Sequence, residues 1–222
     1  VVGGGRVKTL ALIVRKPGTT RDAFRTHYEE VHAPLGLGVM RGLVRYVRHH
    51  VREAVHGAVE LDVATSFVYR DAAALAGVIA RLATPAGDAV RADELTFMDK
   101  PRNRFFAVRE AAERGARDRA APLQALALVQ RAAGQGAAAF AADFAARALP
   151  ALHDAARGLR WCLHHEALAT FGEPPWDAVV QLHAAAAPGL ASWCAAREAE
   201  GARACAVRVS EHETPLPAGG VP

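Results

Sequence analysis

The stretch "HYEEVHAPL", His27 to Leu35, places two imidazoles, a phenol and two carboxylates within nine residues. Such groups bind metals, move protons or cap helix ends. A helical zinc motif needs its two histidines at i and i+4, where they share one face. Here the spacing is i and i+5, and at about 100° per residue the rings of a regular helix diverge by roughly 140°. Chelation of one ion by both rings is therefore not expected, and no metal site is read from this chain.

What remains is proton chemistry. An imidazole titrates near neutral pH and can act as general acid or base. His32 stands where Pro34 should bend or stop a regular helix, because a proline disfavours helical backbone at the residue before it. Two roles stay open for it: a catalytic acid–base group, or a cap on the last carbonyls of its helix. His27 sits at the boundary of the same helix, about 60° from Phe24 at the centre of the apolar face. The alternative for His27 is a half-exposed boundary histidine.

The elements that must carry these groups follow from patterning. "VKTLALIVR" is an apolar, strand-forming run, and "KPGTT" punctuates it, with Thr19 or Thr20 able to cap a helix. Phe24, Tyr28, Val31 and Leu35 then recur at helical spacing. "LVRYVRHHV" alternates as a strand, with Val44, Tyr46, Arg48 and His50 on one face and His49 on the other. Tyr46 and His50 are thus able to face one pocket. "VELDVATSFVY" follows a His56-Gly57 turn, a second helix begins near Asp71, and "RFFAVRE" closes the unit.

This β-α-β-β-α-β unit occurs twice. "LALIVRKPGTTRDAF" at Leu10–Phe24 returns as "LALVQRAAGQGAAAF" at Leu126–Phe140. At an offset of 116, 12 of 40 positions are identical through His49 and His165, including the Arg-Gly-Leu steps at Arg41 and Arg157 and the prolines Pro34 and Pro150. Shared alanine would mean little in this composition; those matches carry the reading of a tandem duplication. The expected division is residues 1–115 and 116–222, the second copy ending in a disordered tail. The expected fold is α+β, two ferredoxin-like repeats whose sheets form one barrel within the chain, an intrachain pseudo-dimer. A further homo-oligomer stays open.

Bulk composition narrows the function. No apolar run approaches the roughly 18 residues of a membrane span, and "VVGGGRVK" has no signal-peptide core, its Gly3-Gly4-Gly5 run reading as a flexible leader. Cys162, Cys194 and Cys205 show no CxxC spacing, so reduced thiols in a cytoplasmic protein are expected. The net charge is +4, yet 24 of 27 basic residues are arginines scattered among acids, with no nucleic-acid-binding motif. Neither a membrane nor a nucleic acid is expected as partner.

"KPGTTRDAFRTHYEEVHAPL", "GLVRYVRHHV" and "ATPAGDAVRADELTFMDKPRNRFFAV" together resemble the EthD family of the dimeric α+β barrel superfamily. The likeness covers about residues 7–110, and its elements fall on Tyr28, His32–Leu35, Tyr46, His50 and Phe97–Asp99. The second copy is similar but degenerate, with Asp143 for His27, Phe144 for Tyr28, Ala148 for His32 and Glu166 for His50. The resemblance implies the barrel, and small hydrophobic, often polyketide-derived substrates handled by cyclases, dehydratases, decarboxylases or cofactor-free oxygenases.

The resulting expectation is a cofactor-independent enzyme for a small aromatic or polyketide-like molecule. His32 is its acid or base, with Tyr46 and His50 polarising an oxygen and His27 a further candidate. Asp99 either orients an imidazole or pairs with Arg102 or Arg104. Phe24, Tyr28, Phe97 and Arg48 are the expected substrate contacts. Direct reaction of the deprotonated ring with oxygen is the runner-up chemistry, and a non-catalytic binder of a hydrophobic ligand is the competing class. Some tandem barrels of the superfamily bind haem, for which His164, His165 and His183 would be the candidates; no cofactor is the expectation kept.

Overall fold

β-Branched and aromatic residues make Val7–Ile13 (β1) and Val63–Tyr69 (β3) good strands, and they pair antiparallel from Val7↔Tyr69 to Ile13↔Val63. The computed structural model describes residues 5–222, so most of the expected glycine leader lies outside the described residues. Helix α1 (Arg21–His27) starts where predicted: the Thr20 hydroxyl accepts the Ala23 N–H at 3.2 Å. After it come α2 (Ala33–Leu37) and the long strand β2 (Leu43–His56), which pairs with β3 through a bulge between Leu43 and Arg45. Asp71 caps α3 (Ala72–Leu82), and α4 (Asp88–Phe97) and β4 (Arg104–Gly115) complete the first repeat.

The same order returns in β5 (Leu123–Gln130), α5 (Ala137–Asp143), α6 (Leu149–Ala155), β6 (Arg157–Leu168), β7 (Ala178–Ala186), α7 (Leu190–Ala199) and β8 (Arg203–Glu213). Hydrogen-bonded neighbours run β1-β3-β2-β8-β5-β7-β6-β4, a closed barrel. Local devices recur between the two halves. Arg15 pairs with Asp62 as Arg131 pairs with Asp177. His49 Nδ1 and His165 Nδ1 each lie 3.3 Å from a backbone carbonyl, of Ala64 and of Val179. The repeated Arg-Gly-Leu step also gains a reason: Gly42 and Gly158 both have positive φ, +77° and +61°.

Pro34 does not end the helix. Between α1 and α2 the chain makes one π-turn, Tyr28–His32, and the Ala33 N–H reaches back five residues to the Tyr28 carbonyl. The wider turn relieves the clash that a proline ring makes with the carbonyl four residues back. Phe144–Ala148 does the same ahead of Pro150. His32 is therefore mid-helix, which removes the end-cap role.

The chain forms two compact units that cut across the sequence repeats: residues 1–50, 60–107 and 212–222, and residues 51–59 and 108–211. The first has a core of Phe24, Tyr28, Leu43, Tyr46, Phe67 and Phe97, each worth about 1.5–3 kcal/mol on burial. The second is built on Phe144, Leu152, Leu182 and Trp193. The C-terminal segment, expected as a disordered tail, belongs to the first unit. Its Thr214 and Val221 amides donate to the Tyr46 and Leu43 carbonyls at 3.1 and 2.8 Å, and Leu216 and Val221 pack on that core. Among the described residues no single helix is long and apolar enough to cross a membrane.

Candidate active site

The π-turn changes the geometry that the sequence spacing suggests. An extra residue in the turn brings positions i and i+5 onto one side, so His27 and His32 both reach one carboxylate. His27 Nε2 is 2.7 Å from Asp93 Oδ1, and His32 Nδ1 is 2.9 Å from Asp93 Oδ2. Asp93 lies on α4, one helical turn before Phe97. The Phe97 ring packs on both imidazoles, with centroids 4.5 Å from His27 and 5.1 Å from His32.

A carboxylate only accepts, so His32 carries its proton on Nδ1 and leaves the Nε2 lone pair unengaged. His32 is 4 % exposed, and burial lowers its pKa, with the Asp93 hydrogen bond acting in the opposite sense. The ring is thus neutral at neutral pH, in a single tautomer.

His32 lines a cavity of about 440 Å³ in the first unit. Tyr28, Phe67, Tyr69, Val78 and Met98 are among its walls, and Glu94, Lys100, Asn103 and Arg104 supply its polar side. That volume is typical of a small-molecule site. Tyr28 is tied down: its hydroxyl is 2.9 Å from Thr65 Oγ1, and its ring meets His32 edge-on at 5.1 Å. Burial raises the Tyr28 pKa, so the phenol stays protonated.

Tyr46 and His50 are not among the residues that line this cavity. The Tyr46 hydroxyl hydrogen-bonds that of Tyr28, its ring stacks on Phe67 at 5.1 Å, and burial holds its pKa well above the usual value. His50 Nε2 is 2.5 Å from Glu29 Oε1. Burial lowers the His50 pKa against the pull of Glu29.

Arg48 also lies outside the cavity lining. It is 1 % exposed, a burial that an arginine tolerates only when paired. Its guanidinium takes Glu29 in two bonds of 3.0 and 2.5 Å, donates to Thr214 Oγ1 at 2.7 Å and covers the Tyr46 ring at 4.2 Å. Burial alone would raise the Glu29 carboxyl, but His50 and Arg48 outweigh it and bring it down to about 2. This Arg48–Glu29–His50 cluster ties β2 to the π-turn.

Of the other expected contacts, Phe24 and Phe97 stack on each other at 5.4 Å and support the imidazoles from outside the cavity lining. Asp99 faces Arg102 at 3.7 Å, the ion-pair alternative. The imidazole partner in this segment is Asp93, which sequence reading missed. One signal pointed to it: Asp93 precedes Phe97 by four residues and so shares its helical face. Glu29 was missed because the partner that buries it, Arg48, is 19 residues further on.

The three haem candidates in the second unit are held by the fold. The His164 ring packs on Phe144 at 4.7 Å, and burial pulls its pKa down to about 4. His165 is held at the Val179 carbonyl, and His183 accepts the Asp118 N–H at 3.2 Å beside Trp161. His164 and His165, adjacent on β6, point to opposite faces. This set does not fit an axial ligand site. Among the described residues no group of three or more His, Cys, Asp or Glu side chains is placed to hold a metal ion.

Residues 16–101 match the family model described as EthD domain. Similarity to solved structures extends over nearly the whole chain at low identity. An anthrone oxidase-like protein superimposes with a TM-score of 0.62 and 10% identity, covering 95% of this chain and 93% of that one. A proposed monooxygenase from Fusobacterium nucleatum gives 0.56 and 9% identity, covering 94% of each chain. A mutant chlorite dismutase from Candidatus Nitrospira defluvii gives 0.51 and 9% identity, covering 96% and 93%. These likenesses concern the fold. No curated protein sequence matches the chain.

Proposed function

We propose that this chain, whose residues 16–101 match the EthD domain model, carries in its first unit an acid–base enzyme for a small aromatic or polyketide-like molecule. The observation that carries the reading is His32: Nδ1 is held by a buried carboxylate, and Nε2 is the free nitrogen of a ring that lines an apolar cavity.

In this reading, His32 Nε2 removes a proton from a ring carbon acidified by a carbonyl, either adjacent to it or conjugated with it across the ring system. The electron pair moves into the ring and onto that oxygen. Asp93 stabilises the imidazolium that forms and keeps the ring oriented, as the carboxylate of a catalytic triad does. The imidazolium then returns the proton to carbon or to a leaving oxygen, which supports cyclisation, dehydration or decarboxylation. Phe67 and Tyr69 offer flat walls to an aromatic substrate.

The oxidase-like and monooxygenase names among the similar structures prompt a second reading. The same carbanion would give its electrons to dioxygen, take up a proton as a hydroperoxide and lose water to leave a quinone carbonyl.

Anthrone, a three-ring ketone with an acidic methylene, tests both readings. Under nitrogen in D₂O the protein should speed deuterium incorporation at the methylene above buffer, seen by NMR. Admitting oxygen should give anthraquinone only under the second reading. A protein that binds anthrone and accelerates neither process is a binder, contrary to the proposal.

A further inference from the structure

Resting on the reading of this cavity as the substrate site, two residues of its wall say what the substrate carries. Tyr69, at the end of β3, is 2 % exposed and lines the cavity, yet its hydroxyl has no hydrogen-bond partner among the described residues. The hydroxyl is not one of the fully buried unpartnered atoms, so it reaches open space at the cavity wall, where a ligand atom or an ordered water completes its hydrogen bonding. Burial raises the Tyr69 pKa, so the group is a donor throughout the working range of pH.

The second residue is Arg104, at the exposed start of β4. Two cations line the cavity, Lys100 and Arg104, with one carboxylate, Glu94. Lys100 and Glu94 pair with each other. Arg104 has no carboxylate partner among the described residues. Instead, its Nη1 donates to the Pro101 and Asn103 carbonyls, both at 2.9 Å. Those two bonds fix the guanidinium at the rim and leave Nε and Nη2 for a guest. A held guanidinium with a free edge is suited to the fork-like capture of a carboxylate. Asn103 does not compete for that role, since its Oδ1 accepts the Val14 N–H at 2.9 Å.

We propose that the cavity selects aromatic acids: Arg104 takes the carboxylate at the rim, and Tyr69 donates a hydrogen bond to an oxygen on the ring held inside. Neither contact requires the His32–Asp93 pair, so specificity and proton transfer reside in different side chains.

The full-length chain can be titrated with 2-naphthoate, its neutral analogue 2-naphthamide and 6-hydroxy-2-naphthoate, with binding followed by ligand-detected NMR. The naphthoate should bind at least tenfold more tightly than the amide, and Arg104→Gln should abolish that preference. Tyr69→Phe should weaken the hydroxynaphthoate several-fold and leave the unsubstituted naphthoate nearly unchanged. Equal affinity for acid and amide, a preference that survives Arg104→Gln, or no binding of any of the three overturns the proposal. Anthrone has no carboxylate. Intact anthrone exchange with no acid preference therefore sinks the aromatic-acid inference alone, and an intact acid preference without exchange sinks the acid–base reading alone.

Discussion

His32 Nδ1 and Asp93 Oδ2 lie 2.9 Å apart, although 61 residues separate them in the chain. The bond fixes which nitrogen of His32 carries the proton, and so which one can accept another. Asp93→Asn keeps the shape of the side chain but can offer its amide N–H to Nδ1, which favours the opposite tautomer. The exchange rate on anthrone should fall by about 10²–10⁴-fold, the usual range for disabling a general base, with anthrone affinity unchanged. Single-turnover NMR on the variant checks this, and a rate within a factor of three of the parent contradicts it.

The buried Arg48–Glu29 pair predicts a stability effect of asymmetric form. Arg48→Met leaves Glu29 with one cation fewer in a half-buried site and should cost about 3–5 kcal/mol in urea unfolding. Adding Glu29→Gln should recover a large part of that loss, since an unpaired charge costs more than an absent pair. A single variant within 1 kcal/mol of the parent would show the cluster to be well solvated.

Acid sensitivity follows from His164. Burial holds its folded pKa at about 4, against 6.5 for the free group. The unfolded chain therefore binds the extra proton first. The stabilising contribution is complete above pH 6.5 and is lost as pH falls toward 4, on the order of 3 kcal/mol in total. His164→Leu should flatten the fall in melting temperature across that window relative to the parent. Parallel curves for the two proteins would contradict the assignment.

Much of the frame was legible because it rests on local pattern. The strand β2, a helix start at Thr20 and another near Asp71 are all present in the structure, and the order of elements returns in the second half. The site was legible only in part. His32 and Tyr28 stood out by type and position, but the i,i+5 argument against a shared face assumed a regular helix, and one π-turn reverses it. Asp93 lay hidden among the acids of "RADELTF", since its partners are fixed by the packing of α4 on the π-turn. Tyr46, Arg48 and His50 share a strand face as expected, yet they are consumed by one another and by Glu29, a contact between strand and helix that alternation cannot reveal.

The three thiols offer a check on packing. Burial pushes Cys162, Cys194 and Cys205 each up to about 12, so thiolate is scarce at pH 8. A thiol reagent should label none of them in the native protein over minutes, and all three in 6 M guanidinium. Rapid native labelling of any one would contradict the burial of its strand or helix.

With His32 handling the substrate proton, loss of its basic nitrogen must all but stop the exchange. His32→Gln retains a polar side chain of similar length but no basic nitrogen. Deuterium exchange at the anthrone methylene should drop by about 10²–10⁴-fold, while the melting temperature and anthrone binding stay near those of the parent. An exchange rate equal to the parent's, in a variant that is folded and still binds anthrone, would contradict the account.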